Sequence, residues 1–162
     1  MSLLNTYLKI EGSRQGPIKG DAVEAGHVGE IDLVGWNWGM DASSASFSAG
    51  AVNTTLRQMV LRKRTDRAST ALMAALRNNE LLKKVTLTGR KVGGEAPLDF
   101  LKIVMEKARI TSHRIGTPSD LAPEYIEEFT VSFLKVGVTY VPQSATGGST
   151  GATTFETEIT PQ

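Results

Sequence analysis

Residues 125–142 read YIEEFTVSFLKVGVTYVP. Side chains on a strand alternate between two faces, and Phe129, Val131 and Phe133 share one of them. The alternation then slips by one residue, and Leu134, Val136, Val138 and Tyr140 carry the apolar phase. The same slip occurs in residues 98–110, LDFLKIVMEKARI, where Leu101, Ile103 and Met105 give way to Ala108 and Ile110. It occurs a third time in residues 30–39, EIDLVGWNWG: Ile31 and Leu33 precede Val34-Gly35, and Trp36 and Trp38 follow. A one-residue slip moves every side chain to the other face. Three slips in three long runs predict bulged or coiled strands that bend around a barrel. Burial of both faces, as in an oligomer, is the alternative reading of the same pattern.

Outward from these runs, residues 6–11, 56–64 and 82–92 are also rich in Val, Ile, Thr and Leu and predict further strands. One segment reads as helix. Ser69 is placed as its N-cap, Ala71 to Arg77 are strong helix formers, and Asn78-Asn79 ends it. Leu72, Ala75 and Leu76 fall on one helical face. The expected class is therefore mainly β with one helix and no βαβ alternation. Residues 12–29 are a glycine-rich loop, and residues 39–53, GMDASSASFSAGAVN, are a long loop of small residues. Loops of that length inside a domain are usually functional. Residues 144–162 form a Gly/Thr/Ser-rich tail, flexible alone and free to order against a neighbouring subunit.

The chain has 162 residues, enough for one domain with a substantial core. Lys and Arg number 18 against 17 Asp and Glu, a net charge of +1. A protein living on phosphate backbones carries a clear basic excess, and this chain does not. No cysteine is present, so disulfides, Cys metal sites and Cys nucleophiles are excluded. The start, MSLLNTYLKI, has neither the basic nor the long apolar region of a secretory signal. No window reaches the ~20 apolar residues of a membrane-spanning helix. The expectation is a protein made in the cytoplasm that leaves, if it leaves, by a route needing no N-terminal signal.

Catalytic patterns are missing. His27 and His113 are isolated and lack metal-ligand spacing, so no metal or cofactor is expected. Glu127 and Glu128 are adjacent on a strand and face opposite ways, which rules out a paired acid and base. No GxSxG, phosphate-binding loop or dinucleotide fingerprint occurs. The basic run from Arg57 to Arg67 lacks interleaved aromatics for nucleic acid. It reads as a solvated strand face, or as an inter-subunit partner for Glu124, Glu127 or Glu128. In Trp36-Asn37-Trp38 the tryptophans share a face and Asn37 points away from it.

Several stretches together resemble one family. They are Tyr7 to Ile10; His27 to Gly39 (HVGEIDLVGWNWG); Arg62 to Ser69 followed by Leu72-Met73; Arg90 to Gly94; and Glu128 to Thr130 through Tyr140 to Gln143. In this order and spacing they resemble the haemolysin-coregulated protein, Hcp, the tube protein of type VI secretion systems. Thr70 departs from the Pro common in relatives at the first helical turn.

The resemblance implies a two-sheet β-barrel with one helix alongside and a long extended loop, covering residues 1–143. It implies a homo-hexameric ring, stacked copies forming a tube inside a sheath, a spike protein at the tip, and small effector proteins bound and sheltered in the lumen. It implies no enzymatic activity, and secretion through the type VI machine. Within that frame Asn37 is the expected lumen contact. Asp41, Ser43, Ser44 and Phe47 are expected in a ring-stacking loop. Trp36, Trp38, Phe129, Val131, Val136 and Tyr140 are expected in the subunit interface or core. A phage-type tail tube protein and a monomeric β-barrel enzyme or toxin using His113 are the competing readings.

Overall fold

The computed structural model describes residues 3–42, 54–92, 97–119, 123–142 and 151–159. In chain order the elements are β1 (Leu3–Gly12), β2 (Gly16–Ile18), β3 (Ile31–Leu33), β4 (Gly35–Asn37), β5 (Met40–Ala42), β6 (Thr54–Leu56), β7 (Met59–Arg64), α1 (Ser69–Arg77), β8 (Leu82–Val92), β9 (Leu98–Gly116), β10 (Ile126–Tyr140) and β11 (Thr153–Glu158). Nine strands form one sheet in the order β2-β1-β8-β9-β10-β7-β4, with β3 also on β1 and β11 also on β10. β5 and β6 pair as a separate two-stranded ribbon at the base of the 39–53 loop. Among the described residues the chain is mainly β with one helix, as the sequence predicts, and its strands form two sheets. The ladder of the large sheet does not close on itself, since β1 and β7 are not paired. The run 31–37 spans the gap instead. β3 pairs with Thr6–Leu8 of β1, and β4 pairs with Val60–Arg62 of β7.

The three phase slips are the bends of this barrel. The ladders skip Lys83, Lys107 and Leu134, which lie side by side on β8, β9 and β10: Leu82 and Lys84 pair with Ala108 and Glu106, and these pair with Phe133 and Lys135. Buried residues flank each skip, namely Leu82 and Val85, Met105 and Ala108, Phe133 and Val136. Two consecutive side chains between them therefore point away from the core, as the outside of a corner requires. Lys107 takes the turn with φ 53°, a left-handed conformation costing a non-glycine residue about 1 kcal/mol. The crease divides the sheet into a front half (β4, β7, and the adjoining ends of β9 and β10) and a back half (β1, β8, β11, and the other ends of β9 and β10). Val34 is the matching corner between β3 and β4, its N–H donating to the Arg62 carbonyl. One core joins both halves, with Leu61, Phe129 and Val131 from the front and Leu8, Val85, Leu87 and Val136 from the back.

Helix α1 buries Leu72 and Ala75 against this core. Ser69 is not its N-cap but its first helical residue, because its hydroxyl is drawn into a buried polar cluster. Ala68 stands at the N-cap with no side-chain cap bond, and its own N–H donates to Asp66 at 2.9 Å. The helix ends at Asn78, and Asn79 follows at φ 50°. Glu80 then accepts from the N–H groups of Arg14 and Gln15 and from Gln15 Nε2. Burial pushes this carboxyl up, but those hydrogen bonds outweigh burial and hold it below its usual value. Gly12 makes room for it: a Cβ there would overlap Glu80 Oε2. Within the tail, residues 153–158 form a strand on β10 of the same chain, opposite residues 135–140.

Candidate functional site

The front exterior is built by four strands in register. One row across it runs Gly35, Arg62, Glu128, Arg114, and the next runs Asn37, Val60, Thr130, Ser112. Arg64 and Arg109 extend the face on either side. A bulge at Thr111 shifts the register, so Thr111 and Ser112 both bond the Thr130 hydroxyl, at 2.6 and 2.7 Å. Arg62 lies 3.9 Å from Glu128 and Arg64 3.4 Å from Glu124, all four exposed. Arg109 donates to the Asn79 carbonyl. Two lateral edges of this half are open among the described residues. No strand follows β4, and β9 beyond Ala108 has no partner on its β8 side.

Behind that face lies the polar cluster that takes Ser69. Lys63 Nζ contacts Glu127 Oε2 at 3.1 Å, Ser69 Oγ at 3.1 Å and Asp66 Oδ1 at 2.8 Å, and the Lys63 and Glu127 side chains are fully buried. Ser69 also donates to Glu127, whose other oxygen meets His113 Nε2 at 2.9 Å. Burial raises the Glu127 carboxyl, but hydrogen bonds from Ser69, His113 and Lys63 prevail and keep it below its ordinary value. Serine and histidine both bind the carboxylate and not each other, so the group is a structural knot rather than a nucleophile relay.

The back exterior differs. A row of alternating charge, Glu11, Lys84, Glu106, Lys135, Glu158, crosses five strands. Beside it lies a trough of about 500 Å3 lined by Lys9, Lys84, Lys102, Thr86 and Thr139. Its rim is the 20–30 loop, clasped by buried His27. The ring stacks on Tyr7 at 4.4 Å, with Nδ1 3.0 Å from Glu30 and Nε2 3.1 Å from Asp99. Arg90 bonds Asp99 at 2.6 Å and the Ala25 carbonyl at 2.8 Å. Burial raises the Asp99 carboxyl, yet hydrogen bonds from Arg90 and His27 hold it low.

Asn37 is exposed on the front face, while Trp36 and Trp38 are half-buried against the core. Trp38 packs on Phe133 and donates its indole N–H to the Arg57 carbonyl at 2.8 Å. Phe129, Val131 and Val136 are fully buried in the chain's own core. Tyr140 is exposed and meets Phe100 edge-on at 6.4 Å. Asp41 pairs with Arg57 at the base of the ribbon. Ser43, Ser44 and Phe47 lie outside the described residues. The basic run finds Glu124, Glu127 and Glu128 within the same chain, because β7 and β10 are neighbours. The sequence reading missed the buried cluster, although Lys63 continues the inward phase of Met59 and Leu61. It also missed the His27 clasp, which no local spacing announces.

A barrel of this topology, creased into two halves with one helix, is the fold of the Hcp proteins. The crystal structure of Hcp1 from Salmonella typhimurium superposes with a TM-score of 0.75 over 98% of this chain and 96% of that chain, at 22% identity. The secreted protein Hcp3 from Pseudomonas aeruginosa gives 0.73 over 98% and 100%, at 19% identity. In sequence, the family described as type VI secretion system effector, Hcp, matches residues 7–140. Protein hcp1 of Pseudomonas aeruginosa is 30% identical over 151 residues, 91% of this chain and 90% of that protein. The chain belongs to the type VI secretion Hcp family.

Proposed function

We propose that six copies join edge to edge into a ring and that the rings stack as the inner tube of a type VI secretion machine. In this reading the tube lies inside a sheath behind a spike protein, and the front face holds small effector proteins during export. The open edges of the front half carry the proposal. Among the described residues, the outer sides of β4 and of β9 beyond Ala108 have no strand partner, and unlike edges that pair head to tail close into a ring. At ~4.8 Å per strand, four strands from each of six copies make a wall about 115 Å around, a channel about 37 Å across. An apolar groove of about 660 Å3 between Met40, Leu56, Phe155 and Ile159 offers a further surface for a neighbouring copy to cover.

Size exclusion with light scattering tests the ring: six times the chain mass is expected, and a monomer at high concentration overturns it. Deleting Ser43 to Ala49 should leave rings intact and stop tube growth; normal tubes would remove that loop from the stacking contact. Asn37→Asp should leave rings assembled and lower effector retention, and unchanged retention would remove Asn37 from the lumen site.

A further inference from the structure

The front face carries arginines that no carboxylate pairs with among the described residues. The ladder brings Arg62 and Arg64 of β7 beside Arg109 and Arg114 of β9, with Glu128 next to Arg62, and Glu124 and Asp32 next to Arg64. The β7 arginines are thus matched by carboxylates, and the β9 arginines are not. Among the described residues, no carboxylate lies within ion-pair range of Arg109 or Arg114. On the back exterior the lysines stand among carboxylates: Lys84, Lys107 and Lys135 beside Glu11, Glu106, Glu156 and Glu158, and Lys9 and Lys102 along a trough shared with Glu11, Glu30 and Asp99.

We propose that the front face selects cargo by charge, taking small proteins with an acidic surface. The inference rests on the ring reading for its setting, since six copies, each with Arg109 and Arg114, would place about twelve arginines without carboxylate partners on one channel wall. A concave wall of one sign concentrates oppositely charged partners. Guanidinium groups suit carboxylates because their planar forks bond both oxygens. The hydroxyls of Thr111, Ser112 and Thr130, between the arginines, already bond one another and keep the wall uncommitted to any one shape. Nucleic acid is the weaker fit. Base binding uses outward aromatics, and both tryptophans of this face turn to the core.

The test uses the full chain and two labelled peptides of equal length, one Glu/Ser/Gly and one Lys/Ser/Gly, followed by fluorescence anisotropy. The acidic peptide should bind at least about tenfold tighter, with the preference fading between about 50 and about 300 mM salt. Arg62→Glu with Arg114→Glu should abolish the preference, and Lys84→Glu with Lys102→Glu on the back exterior should leave it intact. Equal binding of both peptides overturns the proposal, as does loss of preference through the back variant alone. So does an oligonucleotide that displaces the acidic peptide at lower concentration than the unlabelled peptide itself. Light scattering of the same samples separates the two readings. A monomer that still prefers the acidic peptide through Arg62 and Arg114 overturns the ring and keeps the selection. A six-fold ring indifferent to peptide charge keeps the ring and overturns the selection.

Discussion

The front and back halves of the barrel share β9 and β10 but place their charges differently. In front, a lysine and two carboxylates are enclosed behind the sheet, and the exterior is left with unbalanced arginine. At the back, lysines and glutamates alternate in solvent, and the enclosed charge is a clasp at the rim, where His27 and Arg90 hold a loop. An enclosed pair cannot fall back on water when one partner is lost, whereas an exposed pair can. The same residue types should therefore matter in one half and hardly at all in the other.

Glu127→Ala should give the largest effect. Lys63 is fully buried, and removing Glu127 leaves it Asp66 alone as a carboxylate partner and takes the shared acceptor from Ser69 and His113, a loss of about 3 kcal/mol read from the urea midpoint. Replacing both residues, Lys63→Met with Glu127→Leu, should recover most of that loss; a cost below about 1 kcal/mol for Glu127→Ala would show the cluster to be dispensable. The same carboxyl fixes the direction of the acid response. Its folded value lies below the ordinary one, so its contribution is complete above that ordinary value and is lost as pH falls through the folded value. Glu127→Gln should flatten the acid limb of the stability curve, and a limb of unchanged slope would assign it to other groups, Asp99 and Glu80 first.

At the back, His27→Ala removes two charge-assisted contacts and the stack on Tyr7, for about 2 kcal/mol. It should also open the 20–30 loop to limited proteolysis; a loop as resistant as before would mean that Arg90 suffices. Lys107→Gly, at the crease, should gain up to about 1 kcal/mol by relieving the left-handed backbone, and Lys107→Val should lose stability. Opposite signs for the pair are the diagnostic. Smallest of all, Lys135→Ala on the back exterior should leave the unfolding midpoint unmoved, since its glutamate partners are solvated. A clear shift there would break the contrast between the halves.

The bends of the large sheet were legible because they leave a mark in the chain. A corner puts two consecutive side chains outside, and the apolar phase slips at Lys107, Leu134 and Val34. Other features left less. In β11, TTFETE, Phe155 is the single apolar side chain, and an exposed edge strand needs no alternation. Ser69 has the composition of a cap, but the tertiary pull of Lys63 and Glu127 overrides the local preference. Lys63 was hidden by its own type, because a lysine among basic neighbours reads as surface even in the inward phase. The arginine excess of the front face depends on register. Arg62 and Arg114 are 52 positions apart, and only the pairing of β7, β10 and β9 places them in one row.

β9 and β10 pass through the crease unbroken, so neither half owns a complete set of strands. Such a chain has no seam along which to come apart. Amide hydrogen exchange should find the protected positions on both sides of Lys107 and Leu134 opening with one common free energy, while β11 and β2, at the margins, exchange earlier. A shell made of such units would resist pulling along its axis as a set of whole subunits, each yielding entirely or not at all.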